Sequence, residues 1–276
     1  MNKPNRLAWL NGGDAACSNP PDPPPGAPWR LVLLGAPGVG KGTQAELLCA
    51  RLGACHLSTG DILRAADDPS RCDRSPALQA ALDLMRQGAL VSDEIILNLV
   101  GERGRCLRCC GGFVLDGFPR TVAQAEALSA LLEREGVALD SVFNYELPID
   151  EVVSRLSGRR VCPECKAVYH LTRHPPRRTG ICDRCGKRLR RREDDRPEAI
   201  RTRMRAYEES TKPLLDWYGS RGMLVTVPAH GTPNEIYART WICGRAVRAG
   251  LTPPAGAAEH GAAVAGEAPA PPEPSP

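Results

Sequence analysis

Short continuous apolar runs alternate along the chain with longer stretches in which apolar residues recur at helical spacing. Leu31-Val32-Leu33-Leu34 ends in Gly35, a run that suits a strand buried on both faces. From about Lys41 to Leu52 the period becomes helical, so strand, loop and helix follow in turn. Phe113-Val114-Leu115 before Asp116, Ser141 to Tyr145 before Glu146, and Leu224 to Val227 before Pro228 add three candidate strands, with helical segments between them. This alternation predicts an α/β fold whose parallel sheet carries helices on both faces through right-handed crossovers. Asp195, with Pro197 and Glu198 behind it, reads as the start of a long helix running to about Tyr218, before Gly219 and Gly222.

The two ends break the pattern. Residues 1–28 are polar and then rich in proline, and residues 251–276 are mostly Ala, Pro, Gly and Glu. Neither holds enough apolar material to offset the entropy of ordering, so both are expected to be disordered. The span between them, 29–250, is long enough for one large domain with small insertions or for two modest domains. Of 276 residues, 42% are hydrophobic and 25% charged, a globular balance. The formal charge of +4 is too mild for wholesale nucleic-acid binding, but it is unevenly spread. Between Arg159 and Arg196 stand 13 Lys and Arg against 5 acids, a local surplus of 8 that should meet phosphates. No apolar run approaches the roughly 18 residues of a membrane helix, and the N-terminus carries no charged-then-apolar leader. A cytoplasmic protein with no membrane partner is expected.

Gly35-Ala36-Pro37-Gly38-Val39-Gly40-Lys41-Gly42-Thr43 stands where a strand gives way to a helix, the context that a phosphate-binding P-loop requires. The glycines leave room for backbone N–H groups to wrap an anion, the helix N-terminus points at it, and Lys41 adds a mobile positive charge. Gly42 takes the position usually held by Ser or Thr, which argues against a GTPase-like site with hydroxyl ligation of magnesium. Asp116 closes a strand, where a carboxylate can meet magnesium through ordered water. A capping or solvated Asp is the alternative there. Arg64 and Arg120 each follow a turn or a strand end, and their guanidinium forks match phosphate oxygens, a surface arginine being the alternative for either. Gln124, one helical turn past Arg120, carries an amide that can donate and accept on a base edge.

Twelve cysteines in a reducing compartment point to metal ligation and buried thiols. Cys162-x-x-Cys165 and Cys182-x-x-Cys185, sixteen residues apart, have zinc-ribbon spacing, and four thiolates would close a structural Zn2+ site. Two disulfides are the alternative. A flap this small lacks a core of its own, so the metal cross-link would supply its folding free energy. Cys106-x-x-Cys109-Cys110 brings only three thiols together and reads as unligated thiols rather than a second metal site. Cys17, Cys49, Cys55, Cys72 and Cys243 look isolated.

Gly35 to Gln44, Ser58-Thr59-Gly60-Asp61-Ile62-Leu63-Arg64, Gly88-Ala89-Leu90-Val91 and Asp116-Gly117-Phe118-Pro119-Arg120-Thr121 with Gln124 come in one order. In these motifs, and close to their spacing, the chain resembles the adenylate kinase family over roughly residues 30 to 245. The resemblance implies a P-loop NTPase-type sheet with an NMP-binding helical insertion over 58–91 and a small zinc-ribbon lid over 158–196. The core would comprise 29–57, 92–157 and 197–250. It also implies reversible transfer of the terminal phosphoryl of MgATP to AMP, giving two ADP. ATP contacts would fall to Gly38, Val39, Gly40, Lys41, Gly42, Thr43, Arg155, Arg159 and Pro233. AMP contacts would fall to Thr59, Arg64, Ala89, Leu90, Val91, Gly117, Phe118, Pro119, Arg120, Gln124, Arg192 and Arg203. Within that set Gln124 would read the base, and Thr59 would favour AMP over pyrimidine monophosphates. Lys41, Arg120, Arg159, Arg192 and Arg203 are the expected catalytic cations, with Asp116 near magnesium. Ala89 stands where relatives are often polar, though its contact would run through the main chain. Val168-Tyr169-His170 and Arg192-Glu193-Asp194-Asp195 resemble the lid of zinc-bearing bacterial members.

ATP and AMP are thus the expected partners, Mg2+ and structural Zn2+ the cofactors, and a monomer the expected state. No general base is required, because a phosphate acceptor is already ionised at neutral pH. Two readings stand beside this one. The first keeps the chemistry with GTP as donor or another monophosphate as acceptor. The second is a zinc-ribbon ATPase that binds nucleic acid through the basic segment, which has few aromatics for stacking.

Overall fold

Leu31 to Leu34 are buried because their strand is central, with a neighbour on each edge and helices on each face. The computed structural model describes residues 9–10, 26–66 and 76–251. These form strands β1 (Trp29–Gly35), β2 (Cys55–Ser58), β3 (Gly112–Asp116), β4 (Ser141–Glu146), β5 (Arg159–Val161), β6 (Val168–His170) and β7 (Leu224–Pro228). The helices are α1 (Lys41–Leu52), α2 (Thr59–Ala66), α3 (Pro76–Gln87), α4 (Asp93–Gly101), α5 (Gly104–Leu107), α6 (Val122–Arg134), α7 (Ile149–Gly158), α8 (Pro197–Ala206), α9 (Pro213–Gly219) and α10 (Pro233–Arg248).

Five strands build one parallel sheet in the order β2-β3-β1-β4-β7. Alternation along β1 sends Val32 and Leu34 to one face and Leu31 and Leu33 to the other. The first face is covered by Ile96 and Val100 of α4, Leu128 and Leu132 of α6, and Leu214 and Tyr218 of α9. The second is covered by Ala45 and Leu48 of α1 with Ile236 and Tyr237 of α10. Two covered faces explain why the strands read as continuous apolar runs. The register sets Asp116 beside both Leu33 and Ser58, and Gly35 beside Tyr145. The carboxyl ends of four strands therefore meet on one edge, where open α/β sheets place their sites.

The structure departs from the sequence reading at three places, one of them a strand that reading did not contain. Strand β2 has no apolar run to announce it, since Cys55-His56-Leu57-Ser58 is half polar, yet all four residues are buried beside β3. The long helix from Asp195 is three pieces: a 3-10 turn at Glu193–Asp195, α8, and α9 after a π-helical turn at Tyr207–Thr211. Pro213 explains the break, because its ring cannot sit against the carbonyl four residues back, and the ladder widens to Lys212 N–H donating to Tyr207 O. Asp195 makes no cap; Arg196 holds that position and the Asp195 carboxylate serves ion pairs. Residues 1–28 read as a disordered extension, but Trp9 is buried, its Nε1–H donating to Ser58 O at 3.0 Å while its carbonyl accepts from Arg103. The remainder of that extension up to residue 25, and of the tail from 252, lies outside the described residues.

Beyond the sheet, β5 and β6 pair antiparallel, and single bridges at Val161–Arg190 and Ile181–Arg188 extend them into a small flap. Its buried material is little more than Cys162, Ala167, Tyr169 and Cys182.

Candidate functional site

The turn between β1 and α1 is shaped by glycines with no room for a side chain. At Gly35, φ is +129°, and a Cβ would lie 2.5 Å from Tyr145 O; at Gly38, φ is +83°, and a Cβ would lie 2.5 Å from Leu156 Cγ. Helix α1 begins after Gly40 with no side-chain cap, so its first N–H groups face the turn without a side-chain acceptor. Lys41 folds back across the turn, Nζ donating to Gly35 O at 2.6 Å and Ala36 O at 3.0 Å. A Cβ on Gly42 would sit 3.5 Å from Asp116 Oδ2, so the missing side chain at this position leaves the carboxylate open to the turn. Thr43 is exposed on the first turn of α1.

Burial lowers the Lys41 ammonium to a pKa of about 8; Asp116 opposes this, and Arg120, Arg203 and Arg159 add to it. Burial pushes the Asp116 carboxyl up, but His56, whose Nε2 lies 3.4 Å from Oδ2, together with Lys41 and Arg64, holds it down at about 2. Asp116 is thus ionised at neutral pH.

A second group gathers around the β3 end. Thr59 Oγ1 and Arg120 Nε both donate to Gly117 O, at 3.0 and 2.8 Å. Phe118 is buried and its peptide bond to Pro119 is cis. Arg120 precedes the α6 cap, Thr121, so it lies outside the helix that carries Gln124. Gln124 is buried, and both ends of its amide are engaged: Oε1 accepts from Arg120 N–H at 2.8 Å, and Nε2 donates to Asp93 Oδ1 at 2.6 Å. Arg64 Nη2 donates to Asp61 Oδ1 at 2.5 Å. Ala89 and Leu90 are half-buried after α3, Val91 is buried, and Gly88 packs against Ala199 O and the Arg203 side chain, joining α3 to α8.

The flap adds a third group. Arg159 forks onto Asp195, Nε to Oδ2 at 2.7 Å and Nη2 to Oδ1 at 2.5 Å, and Arg203 Nη1 reaches Asp195 Oδ1 at 3.2 Å and Asp194 Oδ2 at 2.9 Å. Burial, then Arg159 and Arg64, lower Arg192 to about 9; burial, then Arg203, lower Arg120 to about 10. Five guanidinium groups thus share one field, with Asp116, Asp194 and Asp195 as the carboxylates that oppose it. Such an excess of confined positive charge is suited to a polyphosphate. On the opposite flank Arg155 donates to Val39 O at 3.0 Å and Ala229 O at 2.9 Å, and Gln44 Nε2 donates to Pro233 O at 2.9 Å. These bonds bring Arg155 and Pro233 to the phosphate turn.

A model of the family described as adenylate kinase matches residues 33–223. An adenylate kinase of Trichlorobacter lovleyi is 48% identical over 210 residues, covering 76% of this chain and 96% of that protein. Those of Anaeromyxobacter dehalogenans and Caldicellulosiruptor saccharolyticus are 48% and 46% identical, covering 76% and 71% of this chain and 96% and 90% of theirs. The chain belongs to the adenylate kinase family.

This adenylate kinase family member carries its cysteine cluster at the tip of the flap. Cys162 and Cys185 sulfurs lie 3.3 Å apart, those of Cys165 and Cys182 lie 3.4 Å apart, and all four fall within 4.8 Å of one another. Thiolates arranged tetrahedrally around a metal at about 2.3 Å stand about 3.8 Å apart, so this donor set is compatible with zinc. Among the described residues no other group of three or more His, Cys, Asp or Glu side chains gathers so closely.

Sequence reasoning missed His56, Asp93 and the ion-pair role of Asp194 and Asp195. His56 and Asp93 act on Asp116 and Gln124 across 60 and 31 residues of chain, so no local pattern marks them. The acidic pair carried a signal, since two carboxylates amid so many arginines imply pairing.

Proposed function

We propose that the chain transfers the terminal phosphoryl of MgATP to AMP reversibly, giving two ADP, with the three residue groups holding donor, acceptor and transition-state charge. The observation that carries this reading is the shared field of Arg64, Arg120, Arg159, Arg192 and Arg203 over Lys41, a density of cations that two phosphate chains would neutralise.

The turn from Gly38 to Thr43 and the α1 N-terminus hold the donor phosphates through backbone N–H groups, and Lys41 exchanges its carbonyl partners for phosphate oxygens. Arg155, bonded to Val39 O, reaches the donor phosphates, and Pro233, bonded to Gln44, adds a donor contact. Arg64 and Arg120 grip the acceptor phosphate, while Thr59, Ala89, Leu90, Val91, Gly117, Phe118 and Pro119 frame AMP. Gln124 reads the adenine edge, for which its amide must exchange Asp93 or the Arg120 backbone for the base. An AMP phosphate oxygen attacks the γ-phosphorus in line, the bond to the ADP oxygen breaks, and Lys41, Arg120, Arg159, Arg192 and Arg203 stabilise the spread charge. No side chain removes a proton, because the attacking oxygen is already ionised. The ionised Asp116 beside Gly42 would hold the water shell of the magnesium that accompanies ATP, and that ion would supply charge neutralisation on the phosphates.

Cys162, Cys165, Cys182 and Cys185 hold a structural zinc ion, which stiffens residues 158–196 into one lid that closes with its arginines and excludes water. Residues 58–91 form the AMP-binding segment, and the core comprises 29–57, 92–157 and 197–250. Since one chain carries both donor and acceptor groups, a monomer suffices, and four reduced lid thiols fit a cytoplasmic setting. Steady-state rates with ATP or GTP against AMP, CMP, UMP and GMP test the assignment. The expected result is a preference of at least about 100-fold for ATP with AMP. Equal turnover with another pair shifts the substrate, and salt-sensitive RNA binding without phosphoryl transfer replaces the reading with the nucleic-acid one.

A further inference from the structure

The sulfur atoms of Cys55 and Cys109 lie 3.6 Å apart although 54 positions separate them in the chain. Cys55 therefore departs from its reading as an isolated thiol. It opens β2 and is buried, whereas Cys109 lies half-buried in the connection from α5 to β3, next to exposed Cys110. The sheet makes the meeting: Cys55 pairs in register with Phe113, and a turn in which Gly112 N–H donates to Cys109 O at 2.9 Å folds Cys109 back over the start of β3. Both thiols sit at the amino ends of strands whose carboxyl ends, Ser58 and Asp116, border the phosphate cleft. They are therefore removed from the cleft by the length of a strand, about 10 Å.

We propose that Cys55 and Cys109 are a reversible oxidation site, in which a peroxide oxidises Cys109 and Cys55 resolves the product into an intramolecular disulfide. The step balances in two parts. The Cys109 thiolate attacks one peroxide oxygen, an S–O bond forms as the O–O bond breaks, and the departing hydroxide takes a proton to become water, leaving a sulfenic acid. The Cys55 sulfur then attacks the sulfenic sulfur, the S–S bond forms as the S–O bond breaks, and the leaving hydroxide takes the proton that Cys55 gives up. Two thiols and one peroxide yield one disulfide and two waters.

Three features select this pair. The Cys55 S–H hydrogen bond, helped by Gly111 and Cys110, outweighs burial and holds the Cys109 thiol at about 6, so the attacking sulfur is largely thiolate at neutral pH. Closure to a bond of about 2.05 Å needs an approach of about 1.5 Å, within reach of a loop residue against an edge strand. Cys110 is a poorer partner for Cys109, because adjacent Cα atoms lie about 3.8 Å apart, below the usual disulfide range of about 4.4 to 6.8 Å. The bond would tie the root of β2 to β3 and enclose the whole 58–91 segment in a covalent loop.

The test uses the full-length, zinc-loaded, reduced chain, freed of reductant and treated with hydrogen peroxide. Remaining thiols are blocked with N-ethylmaleimide, and peptides are mapped by mass without reduction. The expected first product is a linked pair of peptides carrying Cys55 and Cys109, lighter by two hydrogens and restored by dithiothreitol. In Cys55→Ser the link is lost, and dimedone traps Cys109 as its sulfenic acid; Cys55→Ala serves if the serine variant does not fold. The proposal is overturned if the first link joins Cys109 to Cys110 or two lid cysteines, or if Cys109 stays reduced while other thiols oxidise. None of these readouts depends on phosphoryl transfer, so they stand or fall apart from the kinase reading.

Discussion

Around the phosphate turn, Leu31 to Ala36 are buried without interruption and α1 adds Gln44, Ala45, Leu48 and Cys49. In the flap from Arg159 to Arg196 only Cys162, Ala167, Tyr169, Cys182 and Asp195 are buried. Both regions present cations to one cleft, yet the turn is held by an apolar sheet, while the flap has a small cluster around four neighbouring cysteines and an ion-paired root. The rigid part needs no metal because packing fixes it. The flap buries only a small cluster of its own, so in the proposed lid its order would have to come from inside itself. The sheet and the flap are thus ordered by two kinds of chemistry in one chain.

The strongest way to break this contrast is Cys162→Ser. With zinc held as proposed, losing one of four ligands would forfeit most of the flap's metal-linked folding free energy, on the order of 10 kcal/mol. Hydrogen exchange should then rise sharply across residues 159–191 while β1 and α1 keep their protection. A uniform rise would merge the two regions into one cooperative unit. Next in size, Lys41→Ala should lower turnover about a thousandfold, near 4 kcal/mol in the barrier, and leave lid protection and zinc content unchanged.

Smaller effects sharpen the division within the fixed base. Gln124→Ala should raise KM for AMP about tenfold, about 1.4 kcal/mol, with KM for ATP unchanged, because its amide, bonded to Asp93 and the Arg120 backbone, belongs to the group proposed to hold the acceptor. The pH dependence of ATP binding follows Lys41. Its pKa of about 8 lies below the ordinary 10.5, so the free site loses this charge as pH rises through 8. ATP affinity should fall above that point by less than tenfold per pH unit, and calorimetric titrations of Lys41→Met should show no such limb. Stability moves the other way. Between pH 8 and 10.5 the unfolded chain holds a proton that the folded site has released, so this group makes stability rise with pH.

What could be read from the sequence was local or periodic. The apolar run before Gly35, the glycine spacing through Thr43 and the paired Cys-x-x-Cys each carry their meaning within a few residues. The strands with two buried faces announce themselves for the same reason. Illegible features depend on partners that only the fold supplies. Strand β2 is buried by β3 and not by its own hydrophobicity; Asp93 finds Gln124, and Asp195 finds Arg159, across 31 and 36 residues. Trp9, in a stretch whose composition argues for disorder, is buried with its indole N–H on Ser58 O. Cys55 and Cys109 meet only because parallel pairing brings two strand starts together.

The consumption of ATP with and without AMP tests most directly whether the cleft holds two phosphate chains and transfers between them, as proposed. With AMP present, two ADP should appear for each ATP consumed, and without AMP the ATP level should stay constant. Loss of ATP at the same rate whether or not AMP is present would contradict the account.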